Sequence, residues 1–126
     1  MITKDGYSKD KGLVPEGIVI TFGEKLIDLY DGLQPLLRHF TYCMHHHEDS
    51  WWHHKVNSQP VHEFDHVYII IQNRLYGRVF YGGYKPAGSH ELFTWPHIIL
   101  SGPLELAPME REIKGFRGFR YCTKLF

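Results

Sequence analysis

Only two cysteines, Cys43 and Cys122, occur among the 126 residues. Two thiols cannot build a disulfide framework, so the stapled folds of small secreted chains are excluded and reduced thiols in a cytosolic setting are expected. No apolar run approaches the ~18 residues that a membrane-crossing helix needs, and no membrane partner is expected. The opening residues Met1–Asp10 are polar and hold no apolar signal core. Net charge is lacking too: fourteen Lys and Arg face fourteen Asp and Glu. That argues against a generic, charge-driven binder of nucleic acid. Internal repeats, low-complexity tracts and linkers are also missing. Residues 1–126 therefore read as one domain, large enough for a core of its own, behind a polar leader over 1–12.

What is present is uneven. Residues 1–66 carry six Lys and Arg against ten Asp and Glu, whereas residues 67–126 carry eight against four. Arg111, Lys114, Arg117, Arg120 and Lys124 crowd the last stretch, so a neutral chain can still present one basic face. A solvated surface with no partner explains the same charges equally well.

Hydrophobic periodicity places the elements. Gly17–Thr21 is β-branched and reads as a strand. Over 24–33 a helix is favoured over a strand: Thr21-x-x-Glu24 resembles a capping box, and Leu26, Ile27, Tyr30 and Leu33 share a helical face. Pro35 limits its continuation. Residues 41–62 show no clean period and read as one long His- and Trp-rich loop. Val67–Ile71, a turn at Gln72-Asn73, and Arg74–Tyr81 form a hairpin whose unbroken apolar arm is a central strand covered on both faces. His97–Leu100 is a strand closed by Ser101-Gly102-Pro103. Alternation over Phe119–Leu125 puts Phe119, Tyr121, Thr123 and Leu125 on one face.

Many short strands with Gly and Pro turns point to a small barrel. The order of features resembles PUA-like domains of the ASCH and EVE type. Three segments carry the likeness: the Asp65–Val79 hairpin; Trp95-Pro96-His97-Ile98-Ile99-Leu100 followed by Pro103 and Pro108; and Lys114-Gly115-Phe116-Arg117-Gly118-Phe119-Arg120-Tyr121. Gly23-Glu24-Lys25-Leu26-Ile27-Asp28 is similar to the Gly-x-Lys-Thr-x-Glu segment of ASCH proteins. The resemblance implies an α+β fold, a small mostly antiparallel β-barrel with one or two peripheral helices. It also implies a cleft for RNA, DNA or a modified base. Some ASCH members hydrolyse acylated cytidine with Lys, Thr and Glu. Here Lys25 matches, Asp28 is a shorter stand-in for Glu, and Leu26 replaces the Thr, so that chemistry lacks its hydroxyl.

Four constellations follow. Cations on phosphate with aromatic planes under bases hold single-stranded nucleic acid, and Arg78, Lys114, Arg117, Arg120 and Lys124 with Trp51, Trp52, Trp95 and Tyr81 are the candidates. For Phe116, Phe119 and Tyr121, core packing is the better account. His45, His47, His53 and His54 are the candidate ligands of a zinc site, with a solvated loop as the plainer account and no other cofactor implied. His62-Glu63-Phe64-Asp65-His66 matches the zinc-peptidase pattern His-Glu-x-x-His, which requires a helix that Pro60 and the Val67–Ile71 run disfavour. Trp51-Trp52 is either a stacking platform, a docking anchor for a protein partner, or a pin holding the loop to the core. The leading expectation is a cytoplasmic nucleic-acid-binding module. The rivals are a hydrolase, acting on nucleosides or through a His-bound metal, and an interaction or inhibitor protein.

Overall fold

The sheet is built around the most apolar stretch of the chain. A computed structural model describes residues 2–3, 15–46, 52–89 and 94–126. At its centre lies β4 (His66–Ile71), where Val67, Tyr68, Ile69 and Ile70 are all fully buried. A strand covered on both faces has no polar side to alternate with, which is why the run is continuous. The turn to β5 (Arg74–Lys85) is made by Gln72 and Asn73, both with positive φ (52° and 60°). That mirror-image turn matches the twist of a two-residue hairpin.

On its other side β4 pairs in parallel with β2 (Gly17–Phe22). β2 pairs antiparallel with β7 (Phe119–Cys122), which in turn takes β1 (Ile2–Thr3). Beyond β5 come β6 (His97–Leu106) and β3 (Trp52–Lys55), giving, among the described residues, seven strands in the order β1-β7-β2-β4-β5-β6-β3. The sheet curls into a half-barrel that is not fully closed. The α+β class expected from the sequence holds, with a mixed sheet and two helices among the described residues.

The helices are α1 (Glu24–Leu29) and α2 (Leu33–His45). Asp31 (φ 60°) and Gly32 (φ 132°) break the chain between them. Pro35 falls in the first turn of α2, where a missing N–H costs no helical bond, so it starts this helix instead of stopping one. Leu36, Phe40, Cys43 and Met44 recur at helical spacing and are buried. They pack on Ile18, Ile20, Phe22, Val67, Ile69, Ile71, Ile98 and Leu100 from one face of the sheet. A smaller second core lies on the opposite face, where Val19, Tyr68, Ile70 and Cys122 are capped by Leu125, Phe126 and Ile113.

Several expectations need correction. Residues 41–62 are not one loop. The helix persists to His45, because Cys43 and Met44 continue its apolar stripe, and residues 52–55 add an edge strand. Thr21 does not cap α1: the cap position is Gly23 and no side chain bonds there. β6 runs on through Ser101-Gly102-Pro103 to Leu106. Gly102 permits this, since a β-carbon there would overlap the carbonyl oxygen of Met44. The alternation ends at Cys122, and Leu125 joins Cys122 in the second core instead of facing with Phe119 and Tyr121.

Candidate functional site

A cleft of about 870 Å³ opens where the end of β2, both helices, β3 and the residues just before β7 converge. Its wall is aromatic. Trp52 is 6% exposed and stacks with Phe22 (centroids 5.4 Å apart) and with Tyr30 (5.8 Å), while Phe40 meets its edge at 5.2 Å. His54 stacks on Phe22 at 5.6 Å, and His39 lies 5.3 Å from Tyr30. Leu26 and Leu29 of α1 complete an apolar side. Burial of large rings supplies most of the energy that fixes such a wall.

Protonation in the wall is set by desolvation. The His54 imidazole is pushed down to about 4 by burial, so it is neutral at pH 7 and offers one donor and one acceptor. Burial raises the Tyr30 hydroxyl, with Cys43 adding to it, and burial alone raises the Cys43 thiol. His39 Nε2 is 3.5 Å from Cys43 Sγ. A thiol held protonated is a poor nucleophile, so this pair lacks the activated thiolate of a catalytic cysteine.

The rim is cationic. Lys25, Lys55 and Arg117 are exposed there, with Glu24 the opposing carboxylate among the lining residues. Lys55 Nζ stands 6.0 Å from the ring centre of Trp95, whose side is 39% exposed. A neutral aromatic interior under a positive lip suits a flat ring attached to a phosphate.

Of the residues expected at the site, the cleft gathers Trp52, Trp95, His53, His54 and Arg117. Trp52, however, is a wall residue sealed by its neighbours, leaving little face for a ligand. Trp51 and His47 lie outside the described residues. Arg78 belongs to the opposite face: it bonds Glu105 (Nη2–Oε2 2.9 Å) and donates to the Phe126 carbonyl at 2.6 Å. Arg120 is laid over the Phe116 ring at 4.2 Å, beside the second core. Tyr81 packs on Phe64 away from the cleft, and Lys114 and Lys124 are exposed outside it. The single basic face expected from the tail is therefore split between two sides of the sheet.

The histidines are spread over several elements. His45 ends α2, exposed. His53 and His54 are successive strand residues on opposite sides, His54 against Phe22 and His53 at 4.9 Å from His97. Among the described residues no three His, Cys, Asp or Glu group to hold a metal ion. Residues 62–65 are not helical, so His62 and His66 do not share a helix face. His62 meets Tyr121 at 4.7 Å, and His66 Nδ1 is 3.3 Å from Glu16.

Sequence reasoning missed Lys55, Tyr30, His39 and Cys43. The signal for the last two was their spacing of four, visible only once the helix is carried past Phe40. Lys25 lines the cleft, and the apolar Leu26 lines it beside Lys25. Comparison with protein-family models, with curated proteins and with solved structures finds no match to this chain.

Proposed function

We propose that the chain is a nucleic-acid-binding module of PUA-like type that takes an unpaired base into the cleft while Lys25, Lys55 and Arg117 hold the flanking phosphates. The observation that carries this reading is the pairing of an aromatic, uncharged interior with a cationic lip in one cleft. A base needs a π-face and edge partners, and Tyr30, Trp95 and the neutral His54 supply these types. Duplex would bind less well, because its bases are already stacked. A rival use of Trp52 as a protein-docking anchor is disfavoured by its burial.

The test is fluorescence polarisation with a labelled single strand of about 12 nucleotides, a length in the usual range of such sites. Binding is expected to weaken with rising salt, at a slope of roughly 0.7 per phosphate neutralised. The double variant Lys55→Glu with Arg117→Glu should cut affinity at least tenfold. No binding at low salt, or binding indifferent to that double variant, overturns the proposal.

A further inference from the structure

Arg117 is the rim cation with no element of its own: it lies in the connection between β6 and β7, outside any helix or strand. Something must hold it over the cleft, and four contacts converge on residues 113–116 just before it. The amide of Phe116 donates to Thr21 Oγ1 at 3.1 Å. The amide of Gly115 donates to Asn73 Oδ1 at 2.9 Å, and the amide of Ile113 donates to the Asn73 main-chain oxygen at 3.0 Å. The Arg120 guanidinium covers the Phe116 ring. The fit is close, since a β-carbon on Gly115 would come within 2.8 Å of Thr21 Cγ2.

We infer that Thr21, Asn73 and Arg120 are positioning residues that fix Arg117 at the lip of the cleft, resting on the proposal that this lip binds phosphate. Asn73 is informative because it sits at the β4–β5 turn and does not line the cleft. Its positive φ is one that Asn tolerates, leaving its side-chain oxygen free to accept from the 113–117 segment. Arg120 thereby acquires a role other than ligand contact. Its charge is used on Phe116, one residue before the cation that faces the cleft. The Thr21 hydroxyl, unused for capping α1, serves the same end from the carboxyl end of β2. Ordering a long side chain's backbone before binding removes part of the entropy cost of gripping an anion.

The first arm of the test needs no ligand. In Thr21→Val and in Asn73→Gly, amide exchange at Phe116 and Gly115 respectively should quicken at least tenfold, and the heteronuclear NOE of Arg117 should fall. Thr21→Ser and Asn73→Asp, which keep the acceptors, should restore both. Unchanged exchange and an unchanged NOE in both variants overturn the inference. Should Thr21→Val fail to fold, Asn73→Gly at an exposed turn decides alone.

The second arm uses the same labelled oligonucleotide. Arg117→Gln is expected to weaken binding about fivefold and lower the salt slope by roughly the 0.7 of one lost phosphate contact. Asn73→Gly should do the same, with little further loss when combined with Arg117→Gln. Losses that multiply fully in the double variant also overturn the positioning role. If Arg117→Gln leaves affinity intact, it is the proposed use of the lip that fails, and the exchange data still decide how the segment is held.

Discussion

His54 shows what one side chain in the cleft wall does to the whole chain. Its ring stacks on Phe22 and resists protonation down to about 4, whereas the unfolded imidazole takes a proton near its ordinary 6.5. The stabilisation is therefore complete above pH 6.5 and is lost as pH falls from 6.5 towards 4. The ceiling is about 3 kcal/mol, reduced because the ring keeps some contact with water in the cleft. Urea unfolding at pH 7 and pH 4.5 should show a stability loss that shrinks by at least about 1 kcal/mol in His54→Asn; equal losses in both proteins refute this account. At this scale the sequence was only partly legible. Clustered imidazoles make His54 read as a metal ligand, but its neighbour Phe22 lies more than thirty positions away in the chain. Arg78 reads as a free cation for a similar reason, since Glu105 becomes its partner only through strand register.

Among the elements, α2 and β6 meet at a point that tolerates no substitution. The Met44 carbonyl near the end of α2 occupies the space that a side chain at Gly102 would need. Gly102→Ala should cost about 3 kcal/mol or more, as overpacking against backbone allows no flexible neighbour to yield. Gly23 is the contrast, with open space around it and an extended backbone at the helix cap. Gly23→Ser should be neutral or stabilise by a few tenths of a kcal/mol by supplying the missing cap. Chemical denaturation distinguishes the two, and similar effects would show that the contact is not limiting. Elements with a clear apolar pattern were readable in the sequence: β2, the β4–β5 hairpin and the start of α1. The region 41–62 was not, because its helix tail and edge strand are buried by partners distant in sequence, and neither segment is long enough to display a period of its own.

For the molecule as a whole, charge is sorted by the sheet. Arg117, Lys25 and Lys55 ring the cleft, while Arg78 is clamped between Glu105 and the Phe126 carbonyl on the other side. The two groups should respond to mutation in opposite ways. Arg78→Met should lower stability by about 1–2 kcal/mol, since a charge-assisted bond to the Phe126 carbonyl is lost, and leave oligonucleotide affinity and its salt slope unchanged. Arg117→Gln should change stability by less than about 0.5 kcal/mol while weakening binding. Paired denaturation and polarisation measurements check this, and a loss of affinity in Arg78→Met would count against the division. The net charge of zero, which weighed against a nucleic-acid partner, says little once the cations are separated in this way.

The parallel pairing of β2 with β4 has a consequence for how the chain must assemble. These neighbours meet with Gly17 opposite His66, about fifty positions apart, and the intervening residues include both helices and the far edge strand β3. Neither β2 nor β3 can complete its pairing until residues beyond them exist, because β3 finds its partner only in β6. A nascent chain ending near Asp65 would thus expose the apolar sides of both helices. Folding should wait for the carboxyl-terminal half to emerge, and the high average separation of its contacts places it among slow, β-type folders.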